Sequence, residues 1–127
     1  MKINEVSKKF NISIDTLRYY EKIDLIEPIK RENGIRNYQQ EDLDHIDFII
    51  CMKEAGLTLE AIKHYFDLYR EGEETLEQRE EILAKQQAII LEKMTKQQKT
   101  LDYLDYKINL TKDRISQRDR QKMGVNL

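Results

Sequence analysis

The chain has few of the residues that interrupt helices. Its 127 residues include one proline and four glycines, and residues 75–118 contain neither, so the composition predicts long uninterrupted helices. No run of about 18 apolar residues exists, which argues against a membrane-spanning helix. The first residues lack the apolar segment of a signal peptide, and Cys51 has no second cysteine with which to form an internal disulfide. We therefore expect a cytoplasmic protein in a reducing compartment.

The residue groupings of enzymes and metal sites are also missing from the sequence. No nucleophile stands in a pattern with a base and an acid, no glycine-rich loop could cradle a phosphate, and no zinc-type cluster of Cys and His occurs. His45 and His64 each stand alone in a helical segment. We expect no catalytic activity, no metal and no cofactor.

Charge is distributed unevenly, although the formal net charge is only -2. Residues 1–38 carry eight Lys and Arg against six Asp and Glu, a net of +2. Residues 39–74 carry three against ten, a net of -7, and residues 75–127 carry eleven against eight, a net of +3. The acidic excess therefore belongs to the middle segment. The mild positive excess at the start is weak support for nucleic-acid binding unless motifs add to it.

Two short helices joined by a tight turn are predicted at the start of the chain. Apolar residues at helical spacing predict a helix over residues 3–10, which Asn11 ends. Ser13 can cap a second helix that runs to about Lys22 by accepting a backbone amide of its first turn. This pattern predicts a helix-turn-helix whose second helix reads DNA, and the alternative is a helical hairpin with no such role.

A short hairpin follows the second helix. Pro28 forbids helix continuation, and Asn33-Gly34 is the strongest two-residue signal for a hairpin turn. Three cations and a tyrosine lie on this segment: Lys30, Arg31, Arg36 and Tyr38. The pattern favours a wing that contacts DNA over an ordinary polar loop.

Two further helices are predicted in the acidic middle segment. The first covers residues 40–55, is apolar around most of its circumference, and ends at Gly56. The second begins after Thr58, which can cap it, and runs to about Tyr69. Its inward-facing residues are predicted to be Leu59, Ile62, Phe66 and Tyr69, and residues 71–74 are predicted to be a linker.

Residues 75–118 are predicted to form one long helix with an apolar stripe. The stripe recurs every seven residues in two series, and polar residues interrupt it at Glu80, Gln87 and Gln97. An isolated helix with such a stripe is unstable in water, so a second copy of the chain should cover it. The residues expected to make this dimer contact are Leu83, Ile90, Met94, Leu101, Leu104 and Ile108. Residues 119–127 are predicted to be a disordered tail.

Residues 13–25, with Leu-Arg-Tyr-Tyr-Glu at their centre, and the hairpin segment Gly34-Ile-Arg-Asn-Tyr38 resemble the DNA-binding domain of the MerR family of transcriptional regulators. The resemblance implies a mainly α fold. It consists of a winged helix-turn-helix domain over residues 1–71 and a long antiparallel coiled-coil helix over residues 75–118. Ile35 departs from the family, which more often has an aromatic residue there. The implied DNA contacts are Ser13, Thr16, Arg18, Tyr19, Tyr20, Lys22, Lys30, Arg31, Asn33, Gly34, Arg36, Tyr38 and Lys63.

The same resemblance implies a function. A homodimer would bind a pseudo-palindromic operator in double-stranded promoter DNA and activate transcription by bending and untwisting it. RNA polymerase would thus be a partner through DNA distortion alone. A helical adaptor that binds protein rather than DNA is the alternative from a different class.

Cys51 has two interpretations. Judged by its residue type alone, it is a small, inert residue at the edge of an apolar helix face. However, residues 48–57 resemble the AdhR/NmlR-like branch of the family, whose members carry a lone cysteine in this helix and are linked to aldehyde and thiol stress. That resemblance implies that Cys51 senses electrophiles. The alternative within the family is a regulator or repressor with an inert cysteine and an unknown effector.

Overall fold

The computed structural model describes residues 1–124. Within them the chain forms α1 (Ile3–Phe10), α2 (Ile14–Lys22), β1 (Arg31–Glu32), β2 (Ile35–Arg36), α3 (Gln40–Glu54), α4 (Leu59–Glu71) and α5 (Leu76–Lys122), with a 3-10 turn at Glu73–Thr75 between α4 and α5. The chain divides into two units, one spanning Met1–Gln86 and one beginning at Gln87. The mainly α fold expected from the sequence is confirmed.

The first two helices form as their capping residues predict. Asn11 ends α1 in the left-handed conformation, with φ of 53°, which asparagine tolerates better than most residues. Ser13 caps α2, because its hydroxyl accepts the backbone amide of Thr16 at 3.0 Å. Val6 of α1 and Leu17 of α2 are fully buried, so the two helices pack through their apolar faces.

The hairpin turns at the predicted residues. β1 and β2 are antiparallel, with Arg31 opposite Arg36 and Glu32 opposite Ile35. Asn33 and Gly34 join them with φ of 53° and 79°, the two positive values that a type I′ turn requires. Beyond β2, the amide of Tyr38 donates to the carbonyl oxygen of Met1 at 2.7 Å, which fixes the base of the hairpin against the start of the chain.

Helices α3 and α4 complete the domain. Thr58 caps α4 by accepting the amide of Ala61 at 3.1 Å, as predicted. The inward position predicted for Tyr69 is wrong, since Tyr69 is 45% exposed and Leu68 is buried in its place. The cause is the turn after α4, in which the Thr75 hydroxyl donates to the Leu68 carbonyl at 2.6 Å and folds over that side of the helix.

The core of the first unit draws residues from each of the helices α1 to α4 and from the segments that flank the hairpin. Its buried members are Val6, Leu17, Tyr20, Leu25, Ile26, Ile29, Tyr38, Leu43, Ile46, Ile49, Ile62 and Phe66. This core fixes the orientation of α2 and of the hairpin base, because both contribute side chains to it.

Helix α5 is longer than predicted. It continues through residues 119–122 to Lys122, which corrects the predicted start of the tail, because no Gly or Pro occurs between Thr75 and Gly124. The rest of the tail prediction, at residues 125–127, lies outside the described residues. Within α5, all of which the structure describes, no residue is buried. The apolar stripe is exposed at Met94, Leu101, Leu104 and Ile108, each by at least half, whereas Leu83 and Ile90 are half-buried.

Candidate DNA-binding surface

One face of α2 is polar and exposed. Asp15, Arg18, Tyr19 and Lys22 all lie on it, as their spacing of three, four and seven residues requires on a helix. Tyr19 is 50% exposed, and the Arg18 guanidinium lies 3.8 Å from the Asp15 carboxylate with 56% of its side chain exposed. An exposed guanidinium, ammonium and phenol on one helix face can donate to phosphates or to base edges.

Tyr20 does not join this face, contrary to the sequence prediction. It is 2% exposed, and its hydroxyl lies 3.4 Å from the Lys53 ammonium, which donates to it. The physical reason is the helical period, since Tyr20 follows Leu17 by three residues and therefore lies on the same buried side as that leucine. Of the two adjacent tyrosines, Tyr19 faces solvent and Tyr20 packs in the core.

The start of α2 carries two further predicted contacts. The hydroxyls of Ser13 and Thr16 are 2.7 Å apart, and the Ser13 oxygen also accepts the Thr16 amide. Ser13 is exposed and Thr16 is half-exposed. A helix N-terminus with hydroxyls at the surface is suited to a phosphate oxygen, because the helix dipole is positive there.

The tip of the hairpin is exposed, and we call Lys30, Arg31, Asn33 and Gly34 the wing. The Arg31 guanidinium donates to the Gly34 carbonyl at 3.0 Å, so it lies over the turn. Beside the wing, Ile35 is 53% exposed. An exposed isoleucine offers apolar contact and no hydrogen bond at this position.

Arg36 is committed to a contact within the protein. Its Nε donates to the Glu21 carboxylate at 3.1 Å, and only 20% and 19% of the two side chains are exposed. The structure therefore places Arg36 as a link between β2 and α2 rather than as an exposed cation of the wing. No local pattern predicts this pair, since the two residues are 15 positions apart.

Tyr38, another predicted contact, is buried in the core at 2% exposure. Its hydroxyl is buried and finds no hydrogen-bond partner among residues 1–124. Burial raises the pKa of this hydroxyl above its ordinary value, and the positive charge of Arg36 opposes the shift. Tyr38 therefore anchors the end of the hairpin in the core, and its hydroxyl is inaccessible to a phosphate.

Lys63 lies apart from the other predicted contacts. It is half-buried and lines a shallow depression between α4 and the segment after α2, together with Asp24, Glu27, Asp67 and Arg70. Arg70 binds the Glu27 carboxylate at 3.3 Å and the Asp67 carboxylate at 3.1 Å. Carboxylates around Lys63 weaken its attraction for a phosphate.

Cys51 is exposed on α3, where the sequence suggested the edge of an apolar face. Among residues 1–124, no group of three or more His, Cys, Asp or Glu side chains is placed to hold a metal ion. Over the same residues, none of the helices has an apolar stretch long enough to cross a bilayer.

The sequence prediction missed two residues that shape this surface. Asp15 lies beside Arg18, and Glu21 holds Arg36. Helical spacing could have identified the first, because three residues separate it from Arg18. Only the folded structure could identify the second.

Comparison with known proteins gives consistent matches over most of the chain. Residues 1–68 match the family described as MerR HTH family regulatory protein, and residues 43–106 match MerR, DNA binding. AdhR, an HTH-type transcriptional regulator of Bacillus subtilis, is 46% identical over 72% of this chain, and the match spans 66% of AdhR, just under two thirds of its length.

Two solved structures resemble nearly the whole chain. A MerR family transcriptional regulator from Listeria monocytogenes superposes with a TM-score of 0.85 at 44% identity, covering 96% of this chain and 94% of that one. HiNmlR, described as a MerR family regulator lacking the sensor domain and bound to promoter DNA, superposes with a TM-score of 0.75 at 25% identity, covering 98% and 94%.

Replacing Tyr38 with Phe should preserve DNA affinity and increase stability. The change removes a buried hydroxyl that costs about 1–3 kcal/mol when it is left unpaired. Above pH 10 the unfolded chain ionises Tyr38 while the folded chain still holds its proton, so the free energy of unfolding falls as the pH rises. In the Phe variant the free energy of unfolding should decrease less as the pH rises, because no Tyr38 hydroxyl can ionise. Urea unfolding at pH 8 to 11 would measure this difference. A weaker DNA complex with unchanged stability would instead support direct contact.

Replacing Arg36 with Gln should weaken DNA binding because it releases the wing from α2. Glu21→Gln breaks the same pair and should weaken binding by a similar factor, and the double variant should add little further loss. Binding would be measured over a range of salt concentrations. If Arg36 contacts a phosphate, Arg36→Gln alone would weaken binding and would lower the salt slope by about one.

Proposed function

The chain belongs to the MerR family of DNA-binding transcriptional regulators, and we propose that it binds a pseudo-palindromic promoter operator as a homodimer and activates transcription by distorting the DNA. The observation that carries this proposal is the exposed face of α2 with the wing beside it. Arg18, Tyr19 and Lys22 can enter a major groove, while Lys30 and Arg31 contact the neighbouring backbone.

The exposed stripe of α5 supports the homodimer. Leucine, isoleucine and methionine side chains recur along it with half or more of their surface in water, at Met94, Leu101, Leu104 and Ile108. A second copy that pairs with α5 would bury these side chains at about 25 cal/mol per Å² of apolar surface. An antiparallel pairing would relate the two copies of α2 by a two-fold axis, which matches a palindromic operator.

Activation would follow from deformation of the bound DNA. In this mechanism the two copies of α2 occupy successive major grooves, and the protein bends and untwists the segment between them. Promoter elements that are spaced too far apart then become accessible to RNA polymerase, which needs no contact with this chain. HiNmlR, which is described as lacking a sensor domain, has been observed on promoter DNA, and this supports the same mode of binding here.

Cys51 would supply the signal. Its side chain is exposed on α3, so a small electrophile can reach it. A thiolate would add to the carbonyl carbon of an aldehyde, forming a carbon–sulfur bond, while the carbonyl oxygen takes a proton from water. Since α3 follows the hairpin directly in the chain and contacts α4, which leads into α5, an adduct on α3 can alter the wing and the dimer helix together. The 46% identity to AdhR supports this assignment.

Several other properties follow from this proposal. A regulator of this type acts where promoter DNA lies, in the bacterial cytoplasm. The named relatives are transcriptional regulators, and we propose accordingly that the chain has no catalytic activity. Neither a metal nor a cofactor is needed for the mechanism.

Replacing Arg18 with Ala should abolish specific binding. It removes the only guanidinium on the exposed face of α2 within the described residues, and one bidentate contact to a guanine is worth about 1–3 kcal/mol. Gel-shift titration on an operator selected from random DNA would measure the loss. Lys8→Ala, which removes an exposed cation of α1 outside α2 and the wing, is the matched control and should leave affinity unchanged. Equal affinity of wild type and Arg18→Ala would refute the role given to α2.

Replacing Cys51 with Ala should spare DNA binding and remove the response to aldehydes. The measurement is transcription from the selected operator in vitro, with and without formaldehyde, for both proteins. Intact-protein mass spectrometry would show whether the wild-type adduct maps to Cys51. Full induction of the alanine variant would assign the cysteine an inert role and leave the effector to be found elsewhere.

A further inference from the structure

Two polar side chains hold the beginning of α5 against the rest of the first unit. Arg79 lies in the first turn of α5 and Gln86 lies seven residues later, so both side chains project from the same face of the helix. Both are half-buried. Each donates a hydrogen bond to a backbone carbonyl that lies outside α5.

Arg79 binds the turn that follows α4. Its Nη2 donates to the Gly72 carbonyl at 3.1 Å, and its Nε donates to the Thr75 hydroxyl at 3.1 Å. Thr75 is only 5% exposed, and its hydroxyl donates in turn to the Leu68 carbonyl of α4. The guanidinium also lies 5.4 Å from the centroid of the Tyr69 ring, within the range of a cation–π contact. The first turn of α5 is thus fixed to the end of α4.

Gln86 binds the end of α3. The last carbonyls of a helix have no partners within it. Here the chain turns back at Gly56, whose φ is 99°, and two backbone amides beyond the helix donate to carbonyls of its last turn, as is usual at such an end. The Gln86 side-chain amide donates to a further carbonyl, that of Ala55, across 31 positions of sequence. This contact lies at the negative end of the helix dipole, where a donor is favoured.

Apolar packing contributes little to the direction of this part of α5. No residue of α5 is buried. Leu76, at its start, is 50% exposed, and Ile82 and Leu83 are half-buried. Hydrogen bonds depend on direction, whereas the hydrophobic effect does not. The angle at which α5 leaves α3 and α4 therefore depends chiefly on Arg79 and Gln86.

We propose that Arg79 and Gln86 are positioning residues that determine which half-site spacing the protein accepts in its operator. The proposal rests on the homodimer and the two-fold operator proposed above. Because α5 is one continuous helix from Leu76 to Lys122, a change in its angle at Arg79 and Gln86 changes where a second copy bound to α5 places its own α2.

The geometry of DNA makes this angle a source of specificity. Each base pair added between two half-sites moves them apart by about 3.4 Å and rotates one of them by about 34° around the DNA axis. A protein whose two reading helices are held at fixed positions cannot follow that change, so a wrong spacing must be met by deforming the DNA. Release of either contact lets the protein adjust instead, and the discrimination between spacings decreases.

Gln86→Glu tests the proposal with almost no change in size. It replaces the amide donor with a carboxylate, which the Ala55 carbonyl repels. Gln78→Glu is the matched control, because Gln78 is an exposed glutamine of the same helix. Full-length proteins are titrated on the selected operator and on two copies with one base pair inserted or deleted at its centre. Either change should weaken binding of the wild type and of Gln78→Glu about tenfold, and binding of Gln86→Glu only about threefold.

Arg79→Lys is the second variant. It keeps the positive charge and loses the planar fork that reaches Gly72 and Thr75 together. It should reduce the discrimination between spacings in the same way, and it decides the question if Gln86→Glu does not fold. An equal loss of affinity on all three operators would give the two side chains a merely structural role. That result, or discrimination as steep as that of the wild type, would overturn the proposal.

Hydrogen exchange of the free protein provides a readout that does not depend on DNA. The backbone amides of residues 76–86 should exchange faster in Gln86→Glu and Arg79→Lys than in the wild type, because the start of α5 opens more often once a contact is lost. Gln78→Glu should show no such change. Unchanged exchange in both variants would show that these side chains do not hold α5, which contradicts the proposal.

The wild type by itself separates the two levels of the proposal. A wild type that binds all three operators equally refutes the two-fold mode of DNA binding proposed above, and the positioning role with it. A wild type that discriminates between spacings, with variants that discriminate equally well, refutes the positioning role alone.

Discussion

The burial of one face of α2 is the constraint on which the DNA-binding surface depends. Leu17 and Tyr20 lie in the core with almost no exposed surface, and they fix the rotation of the helix about its axis. Once that rotation is fixed, the period of 3.6 residues directs Arg18 and Tyr19 outward. A helix that binds DNA through its polar face needs a fixed orientation. Here the burial of the opposite, apolar face provides the free energy that fixes it.

The wing depends on the same helix through a different kind of contact. Arg36 and Glu21 form a largely buried ion pair, in which the cost of desolvation offsets much of the attraction. Its value here is geometric, since a planar guanidinium on a carboxylate fixes the angle between hairpin and helix. Tyr38 supports the hairpin from the core. Arg36 and Tyr38, which the sequence suggested as DNA contacts, thus position the wing, whereas Lys30 and Arg31 are exposed on it.

The apolar stripe of the long helix α5 favours association with a second copy of the chain. A stripe of leucine, isoleucine and methionine exposed along α5 is costly in water, and the homodimer that we propose would cover it. Net charge near zero for the whole chain conceals an acidic middle segment and a basic end of α5.

The sequence by itself determined the local features: the caps at Ser13 and Thr58, the turn at Asn33-Gly34, and the continuous helix after Thr75. Each depends on a few neighbouring residues, so a short pattern predicts it. Only the tertiary structure decided which candidate contacts reach solvent, which side of α4 is buried, and which carboxylate holds Arg36. Those outcomes depend on packing between segments distant along the chain, and no local pattern records which face the core will bury.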